Sequence, residues 1–135
     1  MCKEAFIMAN ILDMPDTTSY YSERDIKGNT LMAVLSYIGI LVLIPIFAAK
    51  DSPYARFHAT QGLNLLVVEV LWSVVNGIIG GIFALTGIGF FSVLWSIIAW
   101  LVGIVLLLAA IVGILNAAQG RARELPVIGG FRLIK

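Results

Sequence analysis

The chain has 135 residues, of which 60% are hydrophobic and only 13% are charged, and its formal net charge is +1. A soluble domain carries about 25% charged residues, so this composition excludes an ordinary soluble globule. The small net charge argues against a nucleic-acid partner. An all-α domain in a lipid bilayer is therefore expected.

Residues 1–29 are predicted to form a polar N-terminal tail with one short helix near 6–12. Cys2 is the only cysteine, so an intrachain disulfide is excluded and a free thiol is expected. A single membrane domain is predicted from residue 30 to residue 135. Asn29 and Thr30 can cap a helix at its start, and a long apolar run follows them.

The first apolar run, at 31–49, predicts a transmembrane helix. About nineteen residues rise about 28 Å along a helix, which matches a hydrocarbon core about 30 Å thick. Pro45 lies near the end of this run and removes one intrahelical hydrogen bond. A kink or a loosened last turn is therefore expected there.

Two longer apolar runs, at 60–85 and 90–118, predict a second and a third span. The link at 86–89 is short and holds Gly87 and Gly89, which permit a sharp turn. The second and third helices should therefore form a tight antiparallel hairpin. The fold class is thus an all-α membrane protein with about three transmembrane helices, followed by a basic surface tail at 119–135.

Three spans would place the two ends of the chain on opposite sides of a membrane. The first loop and the C-terminal tail would then share one side with six Lys and Arg residues, against three in the N-terminal tail. Basic residues are retained in the cytoplasm. We therefore expect a multi-pass protein of the cell membrane with its N-terminus outside and its C-terminus in the cytoplasm.

Small residues at helical spacing predict where these helices pack closely. Gly77 and Gly81 lie four apart in the second span, and Gly103 and Ala110 lie on one face of the third. Small residues let helix backbones approach each other in lipid. The two seams are expected to meet within one chain, and self-association through them is the alternative.

Glu69 is the only ionisable residue between Gly62 and Gly120. Charged groups within a membrane are costly and often functional, although a glutamate that only joins helices by hydrogen bonds is the plainer interpretation. Asn76 in the same span and Tyr37 in the first are further candidate polar positions, expected at similar depth.

The sequence offers no catalytic set, because it has one histidine and one intramembrane acid. A zinc site needs three or four ligands, and His58 has no second histidine beside it. We therefore expect neither an enzyme nor a metal or other cofactor. Lipid, a protein partner or a second copy of the chain are the expected contacts.

The segment from Ser52 to Leu63 reads Ser-Pro-Tyr-Ala-Arg-Phe-His-Ala-Thr-Gln-Gly-Leu. With Pro45 before it and Asn-Ala-Ala-Gln-Gly-Arg near the end, it resembles a family of small prokaryotic membrane proteins of unknown function. That family is grouped with the twenty-kilodalton Tic component of the chloroplast inner-envelope translocon. The residues that carry the resemblance as an interfacial motif are Arg56, Phe57, His58, Gln61 and Gly62.

Two functions are compatible with these features. The first is a noncatalytic scaffold or accessory subunit of a membrane complex, in which the interfacial motif and the basic tail present a cytoplasmic surface. The second is an oligomeric channel or a component of transport or protein translocation, in which Glu69 lines a path. The resemblance implies protein import only for the plastid relatives, which are drawn with four spans.

Overall fold

The computed structural model describes residues 17–125, and its regular elements are all helices. Cys2, the predicted helix at 6–12 and the end of the basic tail lie outside the described residues. Two 3-10 helices, Thr18–Tyr20 and Gly39–Val42, accompany five α-helices. The α-helices are α1 (Glu23–Gly28), α2 (Thr30–Leu35), α3 (Leu43–Ala48), α4 (Pro53–Thr86) and α5 (Gly89–Ala118).

Helices α4 and α5 form a long antiparallel hairpin. Near one end the hydroxyl of Tyr54 donates a hydrogen bond to the carbonyl oxygen of Ala117 over 2.9 Å. Near the other end the rings of Phe83 and Phe91 stack with their centroids 5.9 Å apart. Gly87 makes the turn with a φ of 71°, a left-handed conformation that glycine adopts without a steric penalty.

Only α4 and α5 among the described helices are long and apolar enough to cross a membrane, by length and composition. Their most apolar 18-residue windows have mean hydropathies of 2.0 and 3.0, and only 6% and 11% of those windows is buried. The core helix of a soluble protein would be mostly buried. The exposure of these windows therefore fits a lipid-facing hairpin, whereas the predicted count of three spans is not confirmed.

The predicted continuous helix at 31–49 was wrong. The chain forms α2, a turn, the 3-10 helix Gly39–Val42 and then α3. Gly39 has a φ of 50°, which a right-handed helix does not contain. Pro45 lies in the first turn of α3, where its missing N–H group leaves no hydrogen bond unmade.

This broken segment enters and leaves at the same end of α4. Asp25, just before it, accepts hydrogen bonds from the hydroxyl of Ser52 over 2.5 Å and from the N–H of Tyr54 over 3.0 Å. In between, the carbonyl of Ser36 lies against Gly62, about 13 Å further along α4 by helical rise. The segment thus runs inward beside α4 and turns back.

The end of the molecule where these segments meet is called the base here, and the turn at 86–89 is called the tip. The base contains α1, the start of α4 and residues 119–125. The N–H of Thr17 donates to the carbonyl oxygen of Ala122 over 2.9 Å, and the N–H of Ala122 donates to the hydroxyl of Thr18 over 3.0 Å. Both ends of the described chain therefore lie at the base.

Charge is confined to the base. Apart from Glu69, the Asp, Glu, Lys and Arg side chains of residues 17–125 fall within 23–27, 50–56 and 121–124. The tip carries none, and its neighbours Leu85 and Phe90 are 90% and 70% exposed. The molecule therefore has one charged end and one apolar end.

Candidate functional site

The most polar part of the interior lies at the base, around His58. This side chain is fully buried, and each of its ring nitrogens has a partner. Nδ1 lies 2.7 Å from the hydroxyl of Tyr37, and Nε2 lies 3.0 Å from the carbonyl oxygen of Arg121. A carbonyl can only accept, so the proton is assigned to Nε2, and Tyr37 then donates to Nδ1 of a neutral ring.

Aromatic rings pack around His58. The ring centroids of Tyr54 and Phe57 lie 4.8 and 5.2 Å from that of His58, both edge to face. Tyr21, from before α1, packs in turn on Tyr54 and Phe57 with centroids 6.0 and 5.9 Å away. Edge-to-face pairs are favourable beyond the area that they bury, so the cluster holds the segment before α1 onto α4.

Gln61 and Gly62 extend the same junction one turn further along α4. The side-chain oxygen of Gln61 accepts a hydrogen bond from the N–H of Leu125 over 2.9 Å. Gly62 has no room for a side chain, because a Cβ there would overlap the carbonyl oxygen of Ser36. Gly113 on α5 meets the Tyr37 ring in the same way. Because these two glycines have no side chain, the turn after α2 fits between α4 and α5.

Asp25 is a residue of this junction that the sequence motifs did not single out. Its carboxylate accepts from Ser52 and Tyr54 at the start of α4, and from the side-chain amide of Asn29 over 3.0 Å. Ser52 in turn caps α4, since its hydroxyl accepts from the N–H of Ala55 over 3.1 Å. Carboxylates favour helix N-termini. An acidic residue upstream of a Ser-Pro helix start is therefore a sequence signal for this contact, although a weak one.

The predicted interfacial motif is therefore largely internal. Phe57, His58, Gln61 and Gly62 are buried, and Arg56 is half-buried. The motif joins α4 to the turn after α2 and to residues 121–125. His58 cannot present itself to a partner without opening this junction, which corrects the expectation of a docking surface on the motif as a whole.

The three candidate polar positions of the membrane domain are not brought together. Tyr37 bonds to His58 at the base, whereas Asn76 accepts a hydrogen bond from the indole N–H of Trp95 over 2.9 Å further toward the tip. Glu69 is half-buried, and Ser73 donates to its backbone carbonyl over 2.8 Å. The similar depth expected for Tyr37 and Asn76 was wrong. Tyr37 follows α2, and the end of α2 lies against Gly62, well before Asn76 on α4.

The predicted packing seam is only partly used within the chain. Ala110 belongs to the core at the base. A Cβ added at Gly77, Gly81 or Gly103 would meet nothing within 4 Å, so these residues make no close helix contact. The close approach beside Trp95 is made by Gly80 instead.

Within the described part of the chain, no three His, Cys, Asp or Glu side chains come together to hold a metal ion. The ring nitrogens of His58 are both engaged by protein groups. The polar groups of the junction make hydrogen bonds that join separate segments of the chain.

Comparison with known proteins identifies the relatives of this chain. Residues 28–134 match the magnetosome magnetite crystal formation protein family. The magnetosome protein MamF of Paramagnetospirillum magneticum (strain AMB-1) is 36% identical over 104 residues, which cover 75% of this chain and 79% of that protein. No solved structure matches the chain at a significant level.

Two further relatives agree with this match. MamF of Magnetospirillum gryphiswaldense (strain MSR-1) is 36% identical over 103 residues, covering 73% of this chain and 77% of that protein. The magnetosome protein MmsF of P. magneticum is 40% identical over 42 residues, covering 31% of this chain and 39% of that protein.

These matches overturn the resemblance to the Tic-related family. The residues that suggested it include His58 and Gly62, which are buried packing residues. Such residues indicate how the helices pack, not the process in which the protein acts. The family match instead spans most of the chain. The chain belongs to the magnetosome magnetite crystal formation protein family.

Proposed function

We propose that this chain is a noncatalytic accessory protein of the magnetosome membrane that contributes to magnetite crystal formation. The observation that carries the proposal is the family match over residues 28–134. Two exposed apolar helices support residence in a bilayer. Both ring nitrogens of His58 and the side-chain oxygen of Gln61 bond to other protein groups at the junction, which supports a structural role rather than a catalytic one.

The proposed arrangement places the base in the cytoplasm and the tip across the membrane. Six Lys and Arg residues of the described chain lie at the base and none lies at the tip; they are Arg24, Lys27, Lys50, Arg56, Arg121 and Arg123. Basic residues near membrane spans favour the cytoplasm. In this arrangement α4 and α5 cross the bilayer, and the α2–α3 segment re-enters on the cytoplasmic side.

This orientation bears on how the chain would influence a crystal. A hard cation is bound by oxygen ligands, carboxylates above all. The tip carries no carboxylate, since Glu69 lies seventeen residues before Thr86 along the chain. Direct capture of iron ions by carboxylates at the tip is therefore not part of the proposal. The chain would act through the membrane around the crystal or through a protein partner at the base.

A cross-complementation experiment tests the proposed function. A strain of P. magneticum that lacks its own MamF and MmsF would receive either this chain or an empty vector. Electron microscopy of whole cells would then measure the size and number of magnetite crystals. Restoration of both by this chain is expected. Unchanged crystals, with the chain present in the magnetosome fraction, would contradict the proposal.

A further inference from the structure

A small pocket at the base opens between α3 and the first turns of α4. Its volume is about 140 Å³, and its lining residues are Ile46, Phe47, Lys50, Arg56 and Ala59. Two of the five are cations and three are apolar. No carboxylate of the described residues lines this pocket, whereas Asp25 and Asp51 line a larger pocket beside α1.

Exposed apolar residues of α3 adjoin the cations of this pocket. Phe47 is 67% exposed and Leu43, one turn before it on α3, is 41% exposed. Lys50 follows the end of α3, and its Nζ lies 6.0 Å from the centroid of the Phe47 ring. On α4, Arg56 is the last cation before the apolar run that begins at Leu63. Charge therefore meets apolar surface at this pocket.

We propose that this pocket binds the phosphate headgroup of an anionic phospholipid. Lys50 and Arg56 contact the phosphate, and Phe47 and Ile46 contact the first part of an acyl chain. Long basic side chains extend from apolar surface to the headgroup level in this manner, and basic pockets between membrane helices on the cytoplasmic side are known to hold anionic headgroups. The proposal rests on the placement of the base at the cytoplasmic membrane surface.

Charge complementarity selects the class of lipid. Two cations face the pocket, and no acid of the described chain lines it. A zwitterionic headgroup would bring its own cation toward Lys50 and Arg56. A headgroup with net negative charge, such as phosphatidylglycerol, carries no cation of its own. A free phosphate ion would satisfy the cations but would leave the Phe47 side of the pocket uncovered.

The test uses the full chain purified in an uncharged detergent, with bound lipid counted by native mass spectrometry. Phosphatidylglycerol and phosphatidylcholine are titrated separately, and phosphatidylglycerol is titrated again in the presence of excess inorganic phosphate. The variants are Lys50→Gln and Arg56→Gln. Lys27→Gln is the matched control, because Lys27 is an exposed base cation that lines a different pocket.

The chain is expected to retain phosphatidylglycerol in preference to phosphatidylcholine, even with inorganic phosphate present. One basic residue near an anionic lipid surface contributes about 1 kcal/mol, so each variant should weaken retention about fivefold while Lys27→Gln leaves it unchanged. Lys50 is exposed, so Lys50→Gln keeps the test open if Arg56→Gln does not fold.

Three results would overturn the proposal. Equal losses of phosphatidylglycerol retention in Lys50→Gln and Lys27→Gln would mean that general surface charge, rather than this pocket, holds the lipid. Equal retention of both lipids would mean an apolar groove without headgroup recognition. Displacement by inorganic phosphate would mean a site for the free ion. Because the measurement is made in detergent, it does not depend on membrane orientation or crystal formation, so a failed complementation leaves its outcome readable.

Discussion

The hydroxyl of Tyr37 and Nδ1 of His58 lie 2.7 Å apart in the buried base of the molecule. The two residues are 21 positions apart, at the turn after α2 and in the first turns of α4. Since the other ring nitrogen bonds to the carbonyl of Arg121, His58 links three separate parts of the chain. The hydrogen bond therefore depends on how the α2–α3 segment packs against α4.

Tyr37→Phe should destabilise the protein by about 1–3 kcal/mol, because it leaves a buried ring nitrogen without its donor. The loss would be measured as a lower midpoint of thermal unfolding in detergent. Tyr20→Phe is the control, since Tyr20 is 82% exposed. Equal midpoints for Tyr37→Phe and Tyr20→Phe would contradict the packing of the turn after α2 against α4.

Gly62→Ala should prevent the turn after α2 from seating, because its methyl group would overlap the carbonyl of Ser36. Overpacking of this kind typically costs about 1–3 kcal/mol. Gly77→Ala is matched chemically, but its methyl group would enter open space. There the gain in helix propensity should leave stability unchanged or raise it by up to about 1 kcal/mol.

The two glycine variants would be compared by thermal unfolding and by protease resistance of the α2–α3 segment. Early cleavage is expected in Gly62→Ala alone. If Gly77→Ala were the more damaging of the two, the seam predicted at Gly77 and Gly81 would pack within the chain or against a second copy, contrary to the open space around both glycines.

The hairpin could be predicted from the sequence because its signals are local. Two apolar runs flank a short link with Gly87, and α5 begins at Gly89, one residue before the predicted 90. Helix α4 begins at Pro53 rather than 60, because Ser52 caps it and Pro53 suits a first helical position. That capping signal is present in the sequence itself, as Ser52 followed by Pro53.

The first segment could not be predicted in the same way, because non-local contacts determine its path. Its length fits a bilayer, and only the glycines at 62 and 113 reveal where its turn is accommodated. The role of Asp25 was hidden for the same reason, since its partners Ser52 and Tyr54 follow it by 27 and 29 residues. Spacing along the chain does not disclose such pairs.

Asp25→Asn should weaken the start of α4. The carboxylate accepts from Ser52 and from the N–H of Tyr54, and a negative charge at a helix N-terminus contributes about 0.3–1 kcal/mol. Thermal unfolding should show a loss of about that size or somewhat more. Glu23→Gln removes an exposed acid of α1 and should change little. Equal effects would mean that general charge, rather than the cap on α4, is responsible.

Orientation can be tested with single cysteines in a chain whose Cys2 is replaced by serine. Ser22→Cys and Arg121→Cys place a thiol at the base, and Thr86→Cys places one at the tip. In spheroplasts, a membrane-impermeant maleimide should label Thr86→Cys before permeabilisation and the two base thiols only afterwards. Labelling of Ser22→Cys in intact spheroplasts, with Arg121→Cys protected, would restore the arrangement with opposite ends.

Glu69→Gln separates the accessory function from the channel alternative. Glu69 is half-buried, and by helical spacing it lies on the stripe of α4 that includes Leu65 and Asn76. No other ionisable side chain occurs between Gly62 and Gly120, so a proton relay along the hairpin would lack a second group.

The amide of Glu69→Gln should insert into the membrane at least as well as the carboxylate, since a charge within a membrane costs about 2.5–3.5 kcal/mol on insertion scales. Magnetite crystals in the complemented strain should therefore keep their size and number. Loss of crystals from a Glu69→Gln chain that still reaches the magnetosome fraction would instead favour a channel, because the change removes the charge and leaves the shape of the side chain almost unaltered.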